Sequence, residues 1–330
     1  MKQRRLGRSD IEISAIGLGC WQFSEGSGLA GGFWEALPTQ TVEEIVDASL
    51  RGGINWFDTA EAYGNGRSER ALSNALTRLG KKPGDVVVAT KWFPFPRFAS
   101  SIGKTIGDRL THLSPFGIDL HQVHQPFSLA TVAAQANAMA DLVQAGKTRT
   151  VGVSNFSAKR MRAFHDVLAR RGVPLVSNQM QYSLLDRRIE SNGVLAAAKE
   201  LGITIIAYSP LAQGLLSGKF HEDPALIKNR VGPRKFLPNF RAKGLERSRP
   251  LIEELRKIAA AHGVTPSQVA LNWLIHFHGD SVVVIPGATK RRHAEENVGA
   301  GEFTLSPDEL RRLTKKHNMS LIGAIALFTV

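Results

Sequence analysis

The chain has 330 residues, of which 43% are hydrophobic and 22% charged, an ordinary balance for a globular protein that buries a full core. Its one cysteine, Cys20, excludes an intramolecular disulfide framework and a cysteine-cluster metal site, and fits a reducing, cytoplasmic compartment. The net charge of +13 admits nucleic acid, an acidic membrane or a phosphate-bearing small molecule as partner.

The opening MKQRRLGRSDIEIS carries neither an apolar run nor a small-residue cleavage site, so no secretory signal is expected. It reads instead as a hairpin ahead of the first strand, plugging the N-terminal end of a barrel. Strands are then predicted at SAIGLGC, INWFDTA, DVVVATK, IDLHQVHQ, TVGVSN, LVSNQMQYS, ITIIAYSP and SVVVIPGA. Helical patterns lie between them, at SERALSNALTRLG, LATVAAQANAMADLVQAGK, SAKRMRAFHDVLARRG, GVLAAAKELG and PSQVALNWLIHFHG. Glycines Gly80, Gly172, Gly202 and Gly263 stand where these helices should stop.

Strands that alternate with helices form a parallel sheet, either closed as a barrel or open and doubly wound. Eight strands with no linker favour one (β/α)8 TIM barrel domain over the whole of 1–330. Between Lys228 and Lys257 ten Lys or Arg face three Glu, and KNRVGPRKFLPNFRAKG within it reads as a long loop after the seventh strand. No aromatic interleaving or nucleic-acid module accompanies this basic stretch, so nucleic acid is not the expected partner. The terminal MSLIGAIALFTV, residues 319–330, is apolar, but its twelve residues fall short of the roughly 20 that span a bilayer. It is expected to pack on the body or to fray, and no membrane association is expected.

A TIM barrel builds its active site where the strands end. The second strand ends at Asp58, with Tyr63 in the next loop, the third at Lys91 and the fourth near His124. The fifth ends at Ser154 and Asn155, the sixth carries Gln179, and the seventh ends at Tyr208 and Ser209. Each residue alone has a bland structural reading, but four ionisable groups on neighbouring strand ends point to proton transfer. A tyrosine hydroxyl, pKa about 10, is a reluctant acid near neutrality. An ammonium about 4 Å away contributes about 4 kcal/mol at an effective dielectric of about 20, which is about three pK units toward the phenolate. Lys91 is therefore expected to lower Tyr63, with Asp58 as its counter-ion and His124 at the carbonyl oxygen. No metal set is visible: His121 and His124, three apart on a strand, face opposite sides, and His276 and His278 lack acidic or cysteine companions. GVSNF lacks the second glycine of a nucleophile elbow, and GLGCWQ lacks the last glycine of a dinucleotide fingerprint.

The segments FDTAEAYG…SE, ATKW, DLHQVHQP, VGVSNFS, NQMQYS, AYSPLAQGLLSGKF and IPGATKRRHAEEN, in this order and spacing, resemble the aldo-keto reductases across nearly the whole chain. The branch resembles bacterial and plant general reductases and, more distantly, potassium-channel β subunits. The resemblance implies a (β/α)8 barrel that reduces aldehydes and ketones with NADP(H), and a catalytic tetrad at Asp58, Tyr63, Lys91 and His124. It also implies that Ser154, Asn155 and Gln179 hold the nicotinamide amide and that Tyr208 stacks on its ring. Ser209, Leu211, Ser217 and Lys219 fall on the pyrophosphate segment, and Gly287, Thr289, Lys290, His293, Glu296 and Asn297 on the adenosine segment. Lys290 and Arg291, with the basic 228–249 stretch, favour NADP over NAD.

Two departures stand out: Gln125 and Phe127 where the histidine motif usually continues through Trp, and His293 where Gln is usual. Trp21, Phe33, Trp34 and Trp92 are expected to wall an apolar pocket for a small-molecule carbonyl substrate, an aldehyde of modest size. Two other functions fit the same residues, an NAD-linked sugar or polyol dehydrogenase and a slowly turning, NADP-binding redox-sensing subunit. Oligomeric state is not readable from the sequence.

Overall fold

A computed structural model describes residues 1–27, 32–230 and 232–320. The last ten residues of the apolar tail, 321–330, lie outside them. Strands β1 (Gln3–Arg5) and β2 (Glu12–Ser14) form an antiparallel hairpin, with Gln3 opposite Ser14. Eight parallel strands follow in consecutive order: β3 (Leu18–Gly19), β4 (Trp56–Asp58), β5 (Val87–Trp92), β6 (Leu120–Val123), β7 (Thr150–Ser154), β8 (Leu175–Gln181), β9 (Thr204–Tyr208) and β10 (Val282–Val284). Parallel bridges Ile16–Val284 and Gly19–Gly287 join the first strand to the last, and the sheet closes into the expected TIM barrel.

The helices of two turns or more are α1 (Thr39–Arg51), α2 (Arg67–Arg78), α3 (Ser100–Leu113), α4 (Val132–Gln144), α5 (Ala158–Arg170), α6 (Val194–Leu201), α7 (Ala242–His262), α8 (Pro266–Phe277), α9 (Arg291–Gly299) and α10 (Pro307–Ser320). Gly202 and Gly263 end α6 and α7 in the left-handed conformation (φ 67° and 66°), which costs glycine little. The stretch after β9 departs from the expected loop. It winds through short 3-10 turns at Pro224–Ile227, Gly232–Phe236 and Pro238–Phe240, and α7 begins already at Ala242. Prolines and glycines hid these turns, because neither residue contributes to a helical hydrophobic stripe.

Two apolar layers position the site. Val87, Ala89 and Lys91 of β5 point into the barrel, while Val88, Thr90 and Trp92 point out to the helices, as strand alternation requires. The interior layer gathers Trp56, Ala89, Leu120, Val176, Ile206 and Val283 from six of the eight strands and Ile285 from just after the last, and Leu6, Ile11 and Ile13 of the hairpin complete it. The hairpin is thus the expected plug. It is pinned there by the Trp56 indole, which donates to the Ser14 carbonyl at 2.9 Å, and by buried Arg4, which donates to the carbonyls of Val282 and Ile275.

Candidate active site

The opposite mouth of the barrel is polar. Lys91 ends the inward-facing row of β5 and is fully buried. Its ammonium has three hydrogens and three acceptors: Asp58 Oδ1 at 2.5 Å, the Thr59 carbonyl at 2.8 Å and the Tyr63 hydroxyl at 3.4 Å. The other carboxylate oxygen, Asp58 Oδ2, accepts from Gln179 Nε2 at 2.9 Å and from Gln122 Nε2 at 3.1 Å. Lateral register explains the convergence, since Asp58 pairs with Ala89, Lys91 with Gln122 and Ser154 with Gln179 across successive strands.

Tyr63 sits on a short turn between β4 and α2, its amide donating to the Ala60 carbonyl at 3.1 Å. Its half-buried ring stacks on Trp21 (5.9 Å between centroids, 23°) and meets the His124 ring edge-on (5.6 Å, 80°). Phe93 closes the far side of His124 at 5.8 Å.

The electrostatics correct the expected sign at Tyr63. Burial pushes its phenol above the ordinary value and outweighs the pull of Lys91, which Asp58 partly cancels. Lys91 is itself raised: burial lowers it, but Asp58 and Tyr63 together more than compensate. His124 is held well below its ordinary value, first by burial and then by Lys91. The resting site therefore holds a protonated phenol, a charged ammonium and a neutral imidazole. A phenol in this setting can give its proton to a nearby oxygen, with the Lys91 ammonium beside the phenolate left behind.

The sequence matches the aldo/keto reductase family over residues 15–318. The chain belongs to the aldo/keto reductase family. It is 39% identical to an uncharacterized oxidoreductase of Mycobacterium tuberculosis over 304 residues, covering 92% of this chain and 89% of that one. It is 35% identical to the chloroplastic pyridoxal reductase of Arabidopsis thaliana over 317 residues, covering 92% of this chain and 83% of the relative. The solved structure of the glycerol dehydrogenase from Gluconobacter oxydans superposes with a TM-score of 0.84 at 27% identity, covering 99% of this chain and 98% of that one.

Within this aldo/keto reductase, the four tetrad positions come together as described. Ser154, Asn155, Gln179 and Tyr208 line the same mouth, already linked among themselves. Ser154 Oγ donates to the Gln179 carbonyl (3.0 Å), Asn155 Nδ2 to Gln125 Oε1 (3.2 Å) and the Tyr208 hydroxyl to Asn155 Oδ1 (2.9 Å). Gln179 spends its amide nitrogen on Asp58, not on a free position in the mouth. Asn155 and Ser209 hold positive φ (62° and 50°), uncommon for non-glycine residues and typical of over-determined functional positions. Leu211 and Ser217 bracket a tight turn, where Gly214 donates to the Leu211 carbonyl and Ser217 Oγ to the Gly214 carbonyl, and Lys219 follows, exposed.

In the last segment, Gly287 lies against the barrel-closing bridge, and Thr289 reaches His293 Nδ1 at 3.2 Å. Glu296 is paired with Arg292 at 2.8 Å. Lys290 stands at the N-cap of α9 with no side-chain cap, and buried Asn297 Nδ2 has no partner among the described residues.

Of the expected pocket aromatics, Trp21, Phe33 and Trp34 cluster beside Tyr63, with Trp21 5.3 Å from Phe33 and 5.9 Å from Trp34. Trp92 does not join them. It is fully buried on the outward row of β5, with its indole donating to Ser101 Oγ at 3.0 Å, and Phe93 takes its place at the site. Sequence reading also missed Gln122, which two-residue alternation back from His124 places on the same inward row. His278 does have an acidic neighbour, Glu190 at 3.3 Å, beside Arg187 and Tyr182. Among the described residues no three His, Cys, Asp or Glu are grouped to hold a metal.

Proposed function

We propose that the chain is an NADPH-dependent carbonyl reductase that turns aldehydes or ketones of modest size into alcohols, with Tyr63 as the proton donor. The observation that carries this reading is the fully buried Lys91, whose three hydrogens are shared among Asp58, the Thr59 carbonyl and Tyr63. Two features of the last segment fit a dinucleotide. The start of α9 lacks a side-chain cap, so its amides are available to phosphate, and the buried Asn297 amide nitrogen has no partner among the described residues. A reduced nicotinamide dinucleotide held by these residues would supply the hydride.

The chain's own part is the proton. Tyr63 gives it to the carbonyl oxygen, Lys91 holds the resulting phenolate, and neutral His124 offers an N–H to the same oxygen. Trp21, Phe33 and Trp34 give an apolar wall beside Tyr63. Arg291 and Arg292 are paired with Glu295 and Glu296, whereas Lys290 has no ion pair among the described residues, which favours NADP through its extra phosphate. The fold likeness to a glycerol dehydrogenase favours a second reading, an NAD-linked polyol dehydrogenase in which Tyr63 accepts the proton. The single cysteine supports a cytoplasmic setting. Among the described residues no helix is long and apolar enough to cross a membrane.

Fluorescence titration with NADPH and with NADH, followed by turnover on an aldehyde panel and a polyol panel, tests this. Preferred NADPH binding with aldehyde reduction is expected. Preferred NADH binding with polyol oxidation moves the assignment to the second reading, and NADPH binding without turnover points to a redox-sensing subunit.

A further inference from the structure

Outside the barrel, behind Tyr63, lies a buried charged cluster that the proton transfer does not use. Glu61, two residues before Tyr63, is 8% exposed, and Arg109 of α3 is 6% exposed. Glu61 Oε2 accepts from Arg109 Nη1 at 2.6 Å, and Arg109 Nε also pairs with fully buried Glu69 of α2 at 2.8 Å. Glu61 Oε1 accepts from the Phe93 amide at 2.5 Å and from the Arg97 guanidinium. Arg97 in turn donates to the Phe93 carbonyl. One carboxylate therefore ties the turn that carries Tyr63 to the loop whose Phe93 ring packs on His124. Glu61 is also joined to β5 through its own amide, which donates to the Lys91 carbonyl at 3.3 Å.

A buried carboxylate with two guanidiniums and an amide on it is a costly device for holding two loops together, since Glu61 and Arg109 must be taken out of water. Apolar packing would serve if only cohesion were needed. What this arrangement adds is direction, because a two-sided, charge-assisted clamp fixes both loops at one separation. We infer that Glu61 is a positioning residue that locks the Tyr63 turn to the Phe93 loop and so sets the spacing of Tyr63 and His124. The inference rests on the reading of Tyr63 as proton donor.

The sequence contains three tyrosines, Tyr63, Tyr182 and Tyr208, so ring-labelled tyrosine gives three resolvable NMR signals, with Tyr63 identified by its loss in Tyr63→Phe. Wild type, Glu61→Ala, Glu61→Gln and Arg97→Met are compared by this spectrum, by NADPH affinity and by aldehyde kinetics. In Glu61→Ala the Tyr63 signal should shift or broaden while the signals of Tyr182 and Tyr208 stay in place, and kcat should fall at least tenfold with NADPH affinity within twofold. Glu61→Gln keeps an acceptor for the Phe93 amide and should recover part of kcat. Should Glu61→Ala not fold, Glu61→Gln and Arg97→Met, each of which loosens one side of the clamp, should still move the Tyr63 signal. An unmoved Tyr63 signal with unchanged kcat in folded variants overturns the inference. A wild type that reduces no carbonyl overturns the functional reading instead, and the spectra still decide the positioning role.

Discussion

Lys91 Nζ and Asp58 Oδ1 form an ion pair at 2.5 Å with both side chains sealed from solvent, and the Tyr63 hydroxyl at 3.4 Å is the way out of that pair toward a ligand. Neither charge is tolerable there without the other. Asp58→Asn leaves a buried ammonium without its counter-ion and should cost about 3 to 5 kcal/mol of stability. The double variant Asp58→Asn with Lys91→Met should recover part of that loss. Urea unfolding of the three proteins measures both, and an Asp58→Asn protein as stable as wild type would remove the pair from the fold's supports.

Removing the proton donor should spare binding. Tyr63→Phe keeps the ring on Trp21 and His124 and deletes only the hydroxyl. General acid catalysis contributes roughly 10²- to 10⁴-fold, so aldehyde turnover should drop by at least about 100-fold. NADPH affinity, read by fluorescence, should stay within a factor of two. Retained turnover would assign the acid's part to another group.

Glu69 gives the fold a pH dependence of unusual sign for a carboxyl. Burial raises it from 4.5 to about 7, more than Arg109 and Thr90 pull it down. Between those two values the folded chain holds a proton that the unfolded chain has lost. The stabilising contribution is complete below about 4.5 and is lost as pH rises to about 7, worth about 3 kcal/mol in all. Glu69→Gln cannot titrate and should lose less stability than wild type between pH 5 and 8 in denaturant titrations. Equal slopes in the two proteins would place the pH dependence elsewhere.

Two of the three tryptophans expected to share a pocket, Trp21 and Trp92, should part company under mutation. Trp92 is core, hydrogen-bonded to Ser101 and stacked under Arg97. Trp92→Ala should cost about 3 to 5 kcal/mol and leave KM for small aldehydes nearly unchanged in the folded fraction. Trp21→Ala removes the ring stacked on Tyr63 and should raise aldehyde KM severalfold with little loss of stability. The opposite pattern would return Trp92 to the substrate wall.

Much of this was legible in the chain itself. Strand alternation puts Lys91 on the same face as Val87 and Ala89 near the end of β5, and eight apolar runs with glycine stops and no linker favour a closed parallel barrel over an open sheet. Residue types and order were enough to place Asp58, Tyr63, Lys91 and His124 at one mouth. Alternation also places Trp92 on the opposite face from Lys91, a consequence that loop position alone obscures. What only the tertiary structure decided depends on lateral register and on burial. Gln122 and Gln179 reach Asp58 because three strands align at one height, and Glu61 meets Arg109 across 48 residues of chain. The sign of the shift at Tyr63 was likewise beyond a sequence, because a Coulomb attraction can be guessed from spacing, whereas the desolvation opposing it exists only when the surrounding chain has closed.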